Sequence, residues 1–387
     1  MSAFITRSVQ PHELDWLDRA GIPVDALLKK PGFTLKQWRL GTLNHQPIEV
    51  IQVEPGMLTC GRALLRVGLL RGLYIDPGYR GEGYLYPLLQ DALAILAEQR
   101  VHLALMYVEP SREAEDIGGI LCDDFGFSPA WPLTLLEFDA EEAARLPIKT
   151  LLRPAKAADA PRLAALYHQQ WESRTSLARS PQSWTWRLPR QLPPRAQIAV
   201  AETRKGTLEG YCALSQIASS HVELVTDTPE AACSLVGEAA RTAVNAGLTR
   251  LAWWMPPDDA AIAYLRTMLD CTLSAHYGRR WGWMARVIDS GGLIDALLPE
   301  ATANLRVLRP DVIAPPLMEA QPEQVRVRLR GQEDTVAVLP YRDFIQWILG
   351  GGAPILSYNR SLTDHHAALL RAMFPPRVAA VGAWEMF

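Results

Sequence analysis

One stretch constrains this chain more than any other. A short apolar run, Leu73 to Ile75, meets the turn Asp76-Pro77-Gly78 and then a basic, glycine-bearing loop, Arg80-Gly81-Glu82-Gly83. A helical pattern follows, with apolar residues at Leu85, Leu88, Leu89, Leu93 and Leu96. Strand, glycine loop and helix N-terminus in that order make an anion site. Glycines let the backbone approach a phosphate, the N–H groups of the first turn point at it, and the helix dipole favours negative charge. Arg80 can add a charge-assisted hydrogen bond. The loop is not a P-loop, because no Gly-Lys-Ser/Thr follows Gly83, and it lacks the third glycine of G-x-G-x-x-G.

The loop resembles the pyrophosphate loop of the GNAT N-acyltransferases, whose pattern runs Arg/Gln-x-x-Gly-x-Gly/Ala. Here it reads Arg80-Gly-Glu-Gly83-Tyr-Leu85, with Leu in the last place. After it come a helix over 84–99, the apolar run Val101 to Val108, which reads as a strand buried on both faces, and the turn Phe125-Gly126-Phe127. The alternating Leu133 to Phe138 reads as a further strand. This is the order of elements the family shows after its loop.

With 387 residues the chain is long enough for two or three cores. Its 49% hydrophobic and 21% charged residues are those of a globular protein. A net charge of −3 gives no case for nucleic acid or an anionic membrane, and no apolar run approaches the ~20 residues of a spanning helix. Met1 to Arg7 reads as a first strand rather than a targeting segment. The five cysteines, Cys60, Cys122, Cys212, Cys233 and Cys271, are dispersed, odd in number and without C-x-x-C. That pattern points to a reducing cytoplasm and away from disulfides or a metal site.

The pattern divides the chain into 1–145, 146–288 and 289–387. In the middle part, Leu151 to Pro154, Gln197 to Glu202, Leu208 to Leu214 and Val222 to Thr226 read as strands. Where a phosphate loop would follow Thr226 the chain reads Asp227-Thr-Pro-Glu230 and enters a helix directly, with no Arg-x-x-Gly. The last part alternates over Gln324 to Arg330 and Thr335 to Leu339, carries helices at Tyr341 to Leu349 and His365 to Phe374, and ends in the apolar tail Val378 to Phe387.

As a whole this resembles the Eis-type acetyltransferases. The resemblance implies mixed α/β and α+β architecture: tandem GNAT-like domains, each a mixed central sheet flanked by helices, the second degenerate, and a sterol-carrier-protein-like C-terminal domain. It implies acetyl-CoA as cosubstrate, with backbone contacts from Leu73, Tyr74 and Ile75 and phosphate contacts at Arg80, Gly81, Glu82, Gly83, Tyr84 and Leu85. It implies a primary amine of a small molecule, polyamine-like or aminoglycoside-like, as acceptor. Family members often form higher assemblies, so a homo-oligomer is compatible.

Direct attack of an amine on a thioester needs a base for the ammonium and an acid for the thiolate. For the base the resemblance implies the C-terminal carboxylate of Phe387, whose pKa of ~3.5 in water burial would raise. For the acid the family has a tyrosine where this chain has Cys122. Cys122 is either a substitute acid or a small buried residue. Tyr84, Tyr86 and Tyr107 are alternatives, with Tyr107 preferred for its place at the end of a strand. Phe33, Trp38 and His45 are candidates to line the acceptor pocket. The competing readings are a catalytically weak or inactive protein that binds CoA or another ligand, and a C-terminal carrier of an apolar ligand.

Overall fold

A computed structural model describes residues 4–109, 112–131, 133–171, 174–188, 196–215, 222–255, 259–276, 280–331, 334–349 and 362–375. In chain order the first elements are β1 (Phe4–Ser8), α1 (Leu14–Arg19), α2 (Val24–Leu27), β2 (Trp38–Leu43), β3 (Gln46–Cys60), β4 (Ala63–Ile75), α3 (Leu85–Glu98), β5 (Leu103–Val108), α4 (Arg112–Asp123) and β6 (Ser128–Pro129). There follow β7 (Leu133–Asp139), α5 (Ala140–Ala144), β8 (Leu151–Pro154), α6 (Ala160–Trp171), β9 (Thr175–Leu177), α7 (Pro181–Arg187), β10 (Ala196–Glu202), β11 (Leu208–Ser215), β12 (Val222–Thr226), α8 (Pro229–Asn245), β13 (Arg250–Met255), α9 (Ala260–Met268) and β14 (Cys271–His276). The last are β15 (Gly282–Val287), α10 (Ser290–Leu308), β16 (Pro316–Ala320), β17 (Gln324–Leu329), β18 (Thr335–Pro340), α11 (Tyr341–Ile348) and α12 (Asp364–Met373). Two compact units result, one drawn from 1–131 and 278–377, the other mainly from 132–277.

The first unit is built on a sheet of order β1-β2-β3-β4-β5-β15-β6. Within this order β4 and β5 run parallel, and α3 supplies the crossover that a parallel pair requires. The apolar stripe of α3, Leu85, Leu88, Leu89, Leu93 and Leu96, is buried on Ile51, Val53, Leu70, Ala104 and Met106. Strand alternation sends Val50 the other way, where it joins Trp38, Leu40, Val9, Leu17, Ile22 and Val24 around α1 and α2. The meander β16-β17-β18 belongs to this unit as well. Its helices are tied to the β3–β4 hairpin: Arg62 N–H donates to Glu300 of α10 at 3.3 Å, and the Cys60 thiol donates to the Ile348 carbonyl at 3.0 Å.

The second unit holds an antiparallel sheet β12-β11-β10-β8 and a second sheet β13-β7-β14. Its core includes Leu136, Phe138, Leu251 and Trp253 under α8. A buried pair, Arg179 and Glu223, is completed by the Tyr211 hydroxyl, which donates to Glu223 at 2.6 Å. The Arg179 guanidinium also lies 4.3 Å from the Tyr167 ring centroid.

The sequence division is crossed in two places. Leu133 to Phe138 is a strand, as read, but β7 pairs with β13 and β14 in the second unit. Met284 to Val287, within the part divided off as 146–288, lies in β15, which pairs with β5 and β6 in the first. Among the described residues no helix is long and apolar enough to cross a membrane.

Candidate functional site

The site begins where β4 and β5 part. Their parallel register ends at Leu70 opposite Met106, although β4 runs on to Ile75 and β5 to Val108. On its other edge β4 carries an extra residue: Arg71 faces Gln52 and Tyr74 faces Val50, so three steps on β4 match two on β3. Gly72 sits in this bulge with φ +56°, and a Cβ there would lie 2.9 Å from the Trp38 ring. Only glycine meets both demands. The bulge bends the end of β4 and leaves a slot between Leu73–Ile75 and the end of β5. Leu73 and Ile75 pack toward α3 and Tyr74 toward α1 and α2.

The loop closes one end of this slot. The Asp76 carboxylate accepts from Gly78 N–H at 2.9 Å, and Asp76 N–H donates to the Ile48 carbonyl at 2.8 Å, which ties the turn to β3. Arg80 is exposed, and its Nε donates to the Ile75 carbonyl at 3.4 Å. Gly81 and Gly83 have φ +81° and +84°, and a Cβ added at either would meet nothing within 4 Å. The space above both is therefore open to a phosphate. Glu82 is exposed, and Tyr84, at the N-cap of α3, stacks on Phe4 with centroids 5.1 Å apart. Tyr84 offers no side-chain cap and the first turn of α3 holds no acidic residue, so the helix dipole favours an anion there, although Tyr86 N–H donates to the Gly83 carbonyl at 3.3 Å and Glu82 N–H to the Tyr79 carbonyl at 3.4 Å. The helix that follows β12 differs: Thr228 caps α8 by accepting from Ala231 N–H at 3.2 Å, and Glu230 lies in its first turn.

The remaining sequence-derived residues scatter. Tyr107, on β5 at the slot, is largely buried, its hydroxyl finds no partner among the described residues, and burial together with Glu109 holds its pKa well above the tyrosine range. Cys122 is half-buried on α4, and burial, then Asp123, pushes its thiol up, so it stays protonated at neutral pH. The Tyr86 hydroxyl donates to Asp124 at 2.5 Å, which raises its pKa. Phe33 packs in the core beside Trp38, while His45 is exposed in the β2–β3 turn with φ +69°. Phe387 and the apolar tail lie outside the described residues. Sequence reasoning missed Glu49 of β3, register partner of Ile75. It is fully buried, and its pKa is pushed up to about 7 by burial. It also missed the bulge, for which the isolated Gly72 in an apolar strand is the available signal.

No protein-family model matches the sequence, and no curated protein matches it. Solved structures do. A GCN5-related N-acetyltransferase from Anabaena variabilis is 15% identical, with a TM-score of 0.64 over 98% of this chain and 99% of that one. The chain shares its fold. Eis1 from Mycobacterium abscessus is 16% identical with a TM-score of 0.59, again over 98% of this chain and 99% of that one. A protein from Enterococcus faecalis described as a probable N-acyltransferase is 14% identical, with a TM-score of 0.64 over 99% of both chains. At these identities the likeness is one of fold, and it runs the length of the chain.

Proposed function

We propose that this chain is an acetyl-CoA-dependent N-acetyltransferase that moves an acetyl group onto a primary amine of a small molecule by direct attack. The observation that carries the proposal is the open glycine loop at the uncapped N-terminus of α3, set at the end of the β4–β5 slot. Acetyl-CoA supplies the activated thioester. Leu73 to Ile75 offer backbone hydrogen bonds along the slot, and Arg80 with the N–H groups of Gly81 to Leu85 holds the pyrophosphate. In the reaction the ammonium first gives a proton to the base, the neutral amine forms the C–N bond as the C–S bond breaks, and the proton that the attacking nitrogen then sheds passes to the departing thiolate. Tyr107, held above the ordinary tyrosine range, serves the thiolate as a hydrogen-bond donor that keeps its own proton.

The finer reading is of an Eis-type enzyme: an active GNAT domain over 1–145, a degenerate one over 146–288 and a sterol-carrier-like domain over 289–387, cytoplasmic and compatible with a homo-oligomer. Phe387 then supplies the base through its terminal carboxylate. Removing Phe387, or extending the chain beyond it, lowers turnover about a hundredfold or more. The rise in melting temperature on adding CoA stays intact. Unchanged turnover in both variants removes that carboxylate from the mechanism.

Thiol release from acetyl-CoA with a panel of amines tests the main proposal. Release above the rate of hydrolysis for at least one amine, with the N-acetyl product seen by mass, is expected. Release at the hydrolysis rate for every amine rejects it. A second reading, a CoA-binding protein without turnover, is favoured by the protonated, half-buried Cys122 in the tyrosine position. It predicts stabilisation by acetyl-CoA with no acetylated product.

A further inference from the structure

A row of buried, unpartnered donors crosses the sheet of the first unit at the level of the β4 bulge. Trp38 on β2 is the register partner of Gln52 on β3, and Gln52 is the register partner of Arg71 on β4. Paired residues project from the same face, so the three side chains stand side by side on the face covered by α1 and α2. Trp38 is 2% exposed, Gln52 4%, and the Arg71 side chain 10%. Trp38 Nε1, Gln52 Nε2 and Arg71 Nε are all buried N–H donors with no acceptor among the described residues. Across the slot the row resumes on the same face with Tyr107 of β5 and its register partner Trp283 of β15, whose hydroxyl and indole N–H also lack partners among the described residues.

Buried polar groups are almost always satisfied, and the exceptions ask for an explanation. Here the exceptions are aligned, and those of the row before the slot are of one kind. Indole, amide and guanidinium N–H groups only donate. Their partner must be rich in acceptor oxygens. Charge agrees with this. Arg71 Nη1 lies 3.6 Å from Glu54 and Lys30 Nζ lies 2.5 Å from it, so two cations share one carboxylate. This corner carries net positive charge and would repel a polycationic acceptor.

We infer that the acyl acceptor is an amine that also bears a carboxylate, and that Trp38, Gln52 and Arg71 hold that carboxylate. This rests on the transferase reading and names the substrate class of the same site. The carboxylate lies over β3 and the bulged part of β4, which leaves its amine toward the slot where the thioester carbon is presented. Tyr107 and Trp283, on the far bank, remain for the oxygen and sulfur of the thioester. Anchored in this way, the amine is aimed rather than merely concentrated.

The test uses the full chain and a set of α-amino acids, each beside its carboxamide and its decarboxylated amine. Binding is read by calorimetry and transfer by thiol release. The acid of each set binds and is acetylated about tenfold or more better than its two analogues, as expected for a charge-assisted contact that the analogues lack. Gln52→Leu and Arg71→Gln each erase most of that preference, and the melting shift produced by CoA is unchanged in both. Two variants are used so that misfolding of one does not decide the matter. Equal or better binding of amides, decarboxylated amines or polyamines overturns the inference. So does a preference that survives in both variants, or the absence of binding by every acid. Acetylation indifferent to the carboxylate leaves the transferase reading standing and rejects the carboxylate row. Selective binding of acids without any transfer supports the row and rejects the transferase.

Discussion

Glu49 has no exposed surface, and neither of its carboxylate oxygens finds a partner among the described residues. Gly41, its neighbour on β2, leaves the room this side chain occupies, since a Cβ there would lie 2.5 Å from Glu49 Cγ. Burial lifts the pKa from 4.5 to about 7. Between those values the folded chain keeps a proton that the unfolded chain releases, so stability falls as pH rises from about 4.5 to about 7 and is level above it. The whole change is of order 3 kcal/mol. Glu49→Gln removes this slope, seen as urea midpoints at pH 5 and pH 7.5 that converge relative to the parent chain. Parallel midpoints in the two proteins would reject the assignment. Gly72 is the other residue whose cost can be read from the backbone. With φ +56° and the Trp38 ring against it, Gly72→Ala destabilises by about 1–3 kcal/mol. An unchanged denaturant midpoint would show that the bulge tolerates a side chain.

At the scale of elements, the contrast between α3 and α8 sets out what makes a helix N-terminus an anion site. Both follow a strand in the same order of elements. One has open glycines, an adjacent arginine and no cap, and the other is closed by Thr228 and Glu230. Arg80→Ala should therefore weaken CoA binding about tenfold, the loss of one charge-assisted contact, and leave the melting temperature of the free protein unchanged. Unaltered CoA affinity would take Arg80 out of the pyrophosphate site. This contrast was legible in the sequence because the loop, the cap and the helical stripe are local. The strands of the second unit were legible for the same reason, as with Gln197 to Glu202 and Leu208 to Leu214, found as the antiparallel pair β10 and β11. The donor row was not legible. Positions 38, 52, 71, 107 and 283 are far apart in sequence and meet only through the register of five strands. Trp38 was singled out as a candidate for the acceptor pocket and Tyr107 as a candidate acid, but nothing in the sequence joined them in one row with Gln52, Arg71 and Trp283.

At the scale of the whole molecule, the chain leaves the first sheet after β6, gives β7 to the second unit, and returns at Gly282 to insert β15 between β5 and β6. Alternation identifies Leu133 to Phe138 as a strand, but it carries no information about which edge a strand will join, so a division of the chain by composition places the first boundary near residue 145. The pairing makes a definite statement about that cut. A fragment of residues 1–145 contains β5 without β15, whose six residues pair with Leu103 to Val108. It also contains β7 without β13 and β14, which leaves Leu136 and Phe138, now 0% and 1% exposed, without cover. An unpaired, apolar strand edge beside exposed core residues favours aggregation. The fragment should therefore be insoluble, or soluble only as a species that binds hydrophobic dyes and lacks a cooperative melting transition. It should gain no stability from CoA even though it retains Arg80, Gly81 and Gly83. A soluble fragment that melts cooperatively within a few degrees of the full chain would show that β15 is dispensable, and that the anion loop stands on residues 1–145 alone.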